Sequence, residues 1–448
     1  MTMDLNGKKV LVVGMKRSGV AAVSLLASQG ACVRATDLKS LDALPEAREL
    51  LERLDIPFQV QSPEVFEGCD AIVISPDVPA DLPALEAARQ RGVRVIGDLE
   101  LAAPLLKGSV IGVTGSNGKT TTTTLIGHIL RHGGVAVQVG GNIGTPVAAM
   151  VENSRDGMWN VLELSSFQLE TIDTFRAHVG VALNVTQNHL DRHHTFERYA
   201  AAKARLFETQ QSGDTAVLNA DDPTCGSFAS RGPAEVRWFS SQRDVAKGAC
   251  LQGEEVLLDG APLMNVHDIP IRGQHNVQNV MAAAIAASCA GVSHQAIAAA
   301  VRTFRAVEHR LEFVRALDGV DFYNDSKATS VDATLKALDA FPGGLWVILG
   351  GKDKGLDYAA LREPLARKAH AALLIGAAAA KIAGQLEGSV PLVDAKTLEG
   401  AVLHAWSYAK PGDTVLLAPA CASFDQFKSF EHRGETFKKL VTELQPRT

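Results

Sequence analysis

VIGVTGSNGKTTTTT, residues 110–124, is the stretch from which the architecture is read. Residues 110–113 form a short apolar run of the length and composition of a buried strand, and the threonine-led TTTTLIGHILRHGG that follows has helical character. Between them lies a glycine-rich turn. A strand that hands such a turn to a helix start is where backbone N–H groups and the helix dipole hold a phosphate. Gly115 and Gly118 let the chain turn tightly, Lys119 brings positive charge to β- and γ-phosphates, and Thr120 offers a hydroxyl to magnesium. The match to the general phosphate-loop pattern is imperfect. Its first glycine is expected five residues before Gly118, where Val113 stands, and Gly115 lies only three before it. Gly115, Ser116, Asn117, Gly118, Lys119, Thr120 and Thr121 therefore read as a variant ATP cradle.

Outward from this loop the chain keeps an α/β rhythm. Upstream, apolar runs at 10–13, 32–35, 58–60, 71–75 and 93–96 alternate with helical stretches, which predicts a parallel sheet with helices on its faces. Downstream, runs at 159–164 and 179–184 continue the second unit to an alanine-rich helix near 281–289. A turn-rich stretch at 214–273 suggests antiparallel strands. A third α/β rhythm follows, with strands at 320–323, 345–349, 372–375 and 414–417. The 448 residues exceed what one core organises, roughly 250–300. Three α/β domains are expected: residues 1–99 Rossmann-like, 100–304 with the phosphate loop and a mostly parallel sheet, and 305–448 again Rossmann-like.

Composition narrows the function. Hydrophobic residues make up 46% and charged residues 21% of the chain, as in globular proteins. A net charge of -6 with no long basic run gives no footprint for a nucleic acid. The six cysteines form no CxxC pair, which favours reduced thiols over zinc or a disulfide framework. No signal peptide or run of about 20 apolar residues is evident, so a cytoplasmic protein without membrane insertion is expected.

Gly14-Met15-Lys16-Arg17-Ser18-Gly19 also joins a strand to a helix. Lys16 stands where the dinucleotide fingerprint has its second glycine, the place of closest backbone approach to a pyrophosphate, so NAD is disfavoured. Asp37, at the end of the next strand, keeps another nucleotide-like ligand in view, as does a plain tight turn with no ligand. Glu163 ends the run NVLEL on the edge that faces the phosphate loop, where a carboxylate can hold magnesium. From composition alone His189 in NVTQNHLDRH and Lys203 in YAAAKARLF read as solvated surface groups before they read as catalytic residues. The third domain adds His309 and Arg310 in EHR, Asp325 and Lys327 in YNDSKATS, and Lys352, Lys354 and Ser423 at strand-to-loop junctions, as an anion site or as surface ion pairs.

TGSNGKTT, LELSSFQLE, NVTQNHLDRH, GQHNVQN, EHR, YNDSKATS and PACASFDQFKSFEHRG occur in this order along nearly the whole chain. The set resembles the Mur ligase family, and within it the members that add D-glutamate to UDP-N-acetylmuramoyl-L-alanine. The resemblance implies an ATP-dependent ligase with two magnesium ions. Ser18 would meet the diphosphate, with Asp37, Lys39 and Ser75 near the uracil and Asn142 at the muramoyl group. Lys119 and Thr120 would serve ATP and its magnesium, Glu163 the first ion, and His189 with Lys203 the second; in many members that lysine is carbamylated. Asn276, Asn279, His309, Arg310 and Asp325 would meet the nucleotide, and Lys327 the reaction centre. Thr329, Lys354, Ser423 and Phe430 would place D-glutamate, with Lys352 a competing choice in the KDK segment. A monomer is expected. An oxidoreductase built on the first domain, a non-catalytic nucleotide-binding regulator and a folylpolyglutamate synthase-like ligase remain the competing classes.

Overall fold

The computed structural model describes residues 5–305 and 307–447, which build three sheets. The first contains β1 (Lys9–Val13), β2 (Cys32–Asp37), β3 (Phe58–Val60), β4 (Ala71–Ile74) and β5 (Arg94–Gly97) in the order β3-β2-β1-β4-β5, all parallel. Strands covered on both faces must be apolar throughout, and β1 and β4 are continuous apolar runs apart from Lys9 at the rim.

The second sheet has nine strands: β6 (Ser109–Thr114), β7 (Val137–Gly141), β8 (Trp159–Glu163), β9 (Val179–Ala182), β10 (Thr215–Asn219), β11 (Glu235–Ser240), β12 (Gly248–Gln252), β13 (Glu255–Leu258) and β14 (Ala261–Asn265). Their order is β14-β13-β12-β11-β10-β9-β6-β8-β7. The strand before the phosphate loop, β6, lies between β8 and β9, so Glu163 at the end of β8 comes out beside that loop. The antiparallel strands expected across 214–273 are a smaller feature than the composition suggests. β10, β11 and β12 are parallel additions: the short helical pieces after β10 carry the chain back to start β11, and the loop 241–247 does the same for β12. Antiparallel pairing here is confined to β13 with its neighbours β12 and β14; β13 and β14 are joined by Asp259 and Gly260 with φ of 52° and 78°, the positive values that a tight hairpin demands.

The third sheet holds β15 (Glu312–Leu317), β16 (Val320–Asn324), β17 (Leu345–Gly350), β18 (Ala369–Ile375), β19 (Leu392–Lys396) and β20 (Thr414–Leu417), ordered β15-β16-β20-β17-β18-β19. All neighbours are parallel except β15 with β16. β15 and β19 are edge strands of mixed polarity, which is why no apolar run marks them.

The chain packs as two units, Met1–Val266 with Gln278–Val301, and His267–Val277 with Arg302–Thr448. The first and second sheets share one unit because a single core runs through both, from Val10, Leu26 and Val73 to Leu162, Leu206 and Phe207. A buried carboxylate adds to the join. Glu100, 3% exposed, accepts from the amides of Asp173 (2.8 Å), Thr174 (2.8 Å) and Phe175 (3.0 Å) and from the Thr174 hydroxyl (2.6 Å). Glu100→Ala leaves those donors without an acceptor, and a cost of about 3 kcal/mol is expected from the loss of charge-assisted bonds. A denaturant midpoint equal to that of the parent chain would contradict this anchoring role.

Candidate active site

The phosphate loop is held in shape by the chain that follows β9. Asn184 Oδ1 accepts from Asn117 N at 2.9 Å and its Nδ2 donates to Asn117 O at 3.1 Å, while Ser116 N donates to Asn184 O at 2.8 Å. The Ser116 hydroxyl bridges Thr186 O (3.0 Å) and the Tyr199 hydroxyl (3.0 Å). Gly118 caps the helix Lys119–His132 at φ 85°, and a Cβ there would stand 2.5 Å from Asn279 Oδ1. Glycine is thus required twice over, by the left-handed backbone and by Asn279.

Two lysines converge on one carbonyl. Lys119 Nζ and Lys203 Nζ each donate to Gly115 O at 2.9 Å, and Lys119 Nζ also donates to Ser116 O at 3.0 Å. Lys203 is 1% exposed, with its Nζ 4.6 Å from the Tyr199 ring centroid. Burial first, then the charge of Lys119, push its amine well below the ordinary lysine range. Glu163, 2% exposed, accepts from Thr120 Oγ1 at 2.7 Å and Asn142 Nδ2 at 2.8 Å. A capping box of Ser165 with Gln168 starts the helix Ser166–Leu169 directly after it.

His189, at φ 53°, opens the short helix Leu190–His193 with its ring 5.0 Å from that of Phe167. His193 anchors this turn: its Nε2 lies 2.9 Å from Ser166 Oγ, and burial pushes its imidazole down to about 4. Arg192 pairs with Glu170 and donates to Val78 O at 2.8 Å.

Ser18, Asp37, Lys39, Ser75 and Asn142 all line one cavity of ≈ 790 Å³ between the first and second sheets. Two of them support its walls: Ser75 Oγ donates to Gly14 O at 2.6 Å, and Asp37 accepts from Met15 N (2.7 Å) and Lys39 N (2.9 Å). Asn142 belongs both to this cavity and, through Glu163, to the phosphate loop.

Asn279 and Asn276 share the helix Gln274–Cys289 but fall in different units; Asn276 Nδ2 donates to Arg272 O at 2.6 Å. In the C-terminal unit, Lys327 N donates to His309 O at 3.1 Å and its Nζ stands 3.6 Å from the Phe430 ring centroid. His309 is buried at φ 64°, and its Nδ1 is 3.0 Å from Asn324 Nδ2. Lys354 Nζ donates to Thr329 O at 3.4 Å, and Ser423 is buried nearby in sequence from Cys421 and Ala422. Arg433, which sequence reading did not single out, is 1% exposed and ties these segments together. It donates to Ser326 Oγ (2.9 Å), Ser326 O (2.8 Å) and Cys421 O (3.2 Å). Asn184, Tyr199 and His193 were missed likewise; only the position of Asn184 at a strand end hinted at its role.

The comparisons match each of these parts. Residues 8–97 match the Mur ligase MurD-like N-terminal domain, 113–287 the Mur ligase middle domain and 309–421 the Mur ligase glutamate ligase domain. A UDP-N-acetylmuramoylalanine–D-glutamate ligase of Solibacter usitatus is 73% identical over 445 residues, covering 99% of this chain and 100% of that one. The chain belongs to the Mur ligase family. A protein of the same name from Acidobacterium capsulatum is 51% identical, covering 98% of this chain and 97% of its own. Among solved Mur ligases, MurF of Thermotoga maritima in complex with ADP is similar at a TM-score of 0.62 and 17% identity, covering 98% of this chain and 97% of that one. UDP-N-acetylmuramate-alanine ligase MurC of the same organism gives 0.61 and 19%, covering 97% and 99%. These likenesses are of fold, three α/β domains.

Asp325 provides a pH signature. Burial raises its carboxyl from the usual 3.8 to about 7, against the pull of Arg310. A raised folded-state value means that the native chain holds this proton where the unfolded chain has lost it. Stability from this group is therefore present below 3.8 and is lost as pH rises through about 7. Asp325→Asn should flatten the stability profile between pH 3.8 and about 7, read by denaturant midpoints. A variant with the same slope as the parent would refute the assignment.

Proposed function

We propose that this chain is an ATP-dependent ligase that joins D-glutamate to the carboxylate of UDP-N-acetylmuramoyl-L-alanine through an acyl phosphate, in the cytoplasmic assembly of peptidoglycan precursors, and acts as a monomer. Asn142 carries the reading: one side chain lines the cavity suited to a nucleotide sugar and bonds the carboxylate beside the phosphate loop. That adjacency puts the end of a long nucleotide-linked acid within reach of a triphosphate.

A carboxylate resists an amine because it is already anionic and must expel an oxide. Transfer of the γ-phosphoryl group to a carboxylate oxygen of the alanyl unit releases ADP and gives an acyl phosphate. The neutral amine of D-glutamate then attacks the carbonyl carbon, loses a proton, and phosphate leaves from the tetrahedral intermediate. Lys119 and the amides of the loop would hold the transferring phosphoryl group, work that is mostly positioning and charge neutralisation. Thr120 and Glu163 present adjoining hard oxygen donors, 2.7 Å apart, which fit a magnesium ion. Magnesium there would neutralise phosphate oxygens as charge shifts between them.

Lys203 as an amine is the wrong donor for a second ion beside His189. Burial and Lys119 favour the uncharged amine, which is the form that adds carbon dioxide, and a carbamate there would supply the missing oxygens. In the C-terminal unit Thr329, Lys354, Ser423 and Phe430 would hold D-glutamate, Lys327 would face the reacting carboxyl, and His309, Arg310 and Asp325 would meet the nucleotide.

Phosphate release from ATP in the presence of UDP-N-acetylmuramoyl-L-alanine should require D-glutamate and fail with L-glutamate, D-alanine or L-lysine. Equal release with all four would overturn the assignment. Lys203→Ala should lose turnover and regain part of it with added short carboxylic acids; no recovery in a folded variant would count against the carbamate.

A further inference from the structure

We propose that Lys16 is a diphosphate-binding side chain, whose ammonium takes over from the close backbone approach that a glycine at this place in the turn allows. The inference deepens the reading of the first cavity as a nucleoside diphosphate site and rests on it. Lys16 is the cap residue of the helix Arg17–Ser28, and that helix has no acidic residue in its first turn, so no protein carboxylate of its own pre-empts an anion there. The preceding amide is already taken, since Met15 N donates to Asp37 Oδ2 at 2.7 Å. A Cβ at position 16 further holds a ligand off the backbone.

What this turn loses in amides it gains in charge. Lys16 and Asp77 both line the cavity and pair at 2.6 Å, with side chains 66% and 64% exposed. A pair so exposed is weak, and an incoming diphosphate competes for the same ammonium with greater charge. Asp77 stays in place when Lys16 turns away, because Val78 N donates to Ser75 O at 2.9 Å and Arg192 Nη2 to Val78 O at 2.8 Å. The neighbouring cation is engaged elsewhere: the Arg17 guanidinium donates to Gly144 O. Lys16 is thus the cation of this turn with a displaceable partner, and Asp77 competes with the ligand for it.

The test is calorimetric titration of UDP and of uridine into the intact chain and its Lys16→Ala, Lys16→Gly and Asp77→Asn variants, at low and moderate salt, with thermal unfolding to confirm folding. Lys16→Ala should weaken UDP by about tenfold, the size of one charge-assisted contact, reduce the salt dependence and leave uridine unchanged. Lys16→Gly should recover part of the loss, and Asp77→Asn should tighten UDP. An unchanged UDP affinity in Lys16→Ala, while the parent chain prefers UDP to uridine, overturns the role of Lys16. A parent chain that binds UDP no better than uridine instead removes the diphosphate reading of the cavity, and this inference with it.

Discussion

Two ammonium groups on one carbonyl oxygen repel each other, and burial penalises the charge of the more deeply buried one. Lys119 and Lys203 both reach Gly115 O at 2.9 Å, and the fully buried Lys203 is the one driven toward neutrality. Much of the site depends on this arrangement. It pins the carbonyl of Gly115, whose φ of 150° suits glycine, and so sets the direction in which the following loop leaves the sheet. It also sets the part-buried Lys119 beside the fully buried Lys203, whose amine burial and the charge of Lys119 hold well below the ordinary lysine range.

A chain of short contacts extends from the loop to the cavity between the first and second sheets. Thr120 holds one oxygen of Glu163, Asn142 holds the other, and Asn142 lines the cavity. Thr120 and Asn142 thus satisfy both oxygens of Glu163, which keeps a buried carboxylate from standing unpaired.

Features written in contiguous residues were legible in the sequence. Continuous apolar runs marked the buried parallel strands, and the glycine turn with Lys119 and Thr120 marked the phosphate loop. The edge strands β15 and β19 carry mixed polarity and left no such trace. In residues 214–273 turn-rich composition suggested antiparallel pairing, whereas β10 to β12 pair in parallel and only the pairs of β13 with β12 and β14 are antiparallel. The site was less legible where function comes from burial. Lys203 in an alanine-rich helix looks solvated until packing places it under the loop. Arg433 looks like a surface arginine until its guanidinium meets the carbonyls of Ser326 and Cys421. Asn184, which staples Asn117, has no local signature beyond its place after a strand. The family resemblance supplied an expected role for Lys203 that periodicity could not.

The central claim is that ATP is used to make an unreactive carboxylate electrophilic. Oxygen-18 in the alanyl carboxylate of the nucleotide-sugar substrate tests it most directly, with the released phosphate analysed by mass after a single turnover with D-glutamate. The account predicts one heavy oxygen carried from the carboxylate into each phosphate. Phosphate free of label would mean that the acid was never phosphorylated, and the account would be wrong.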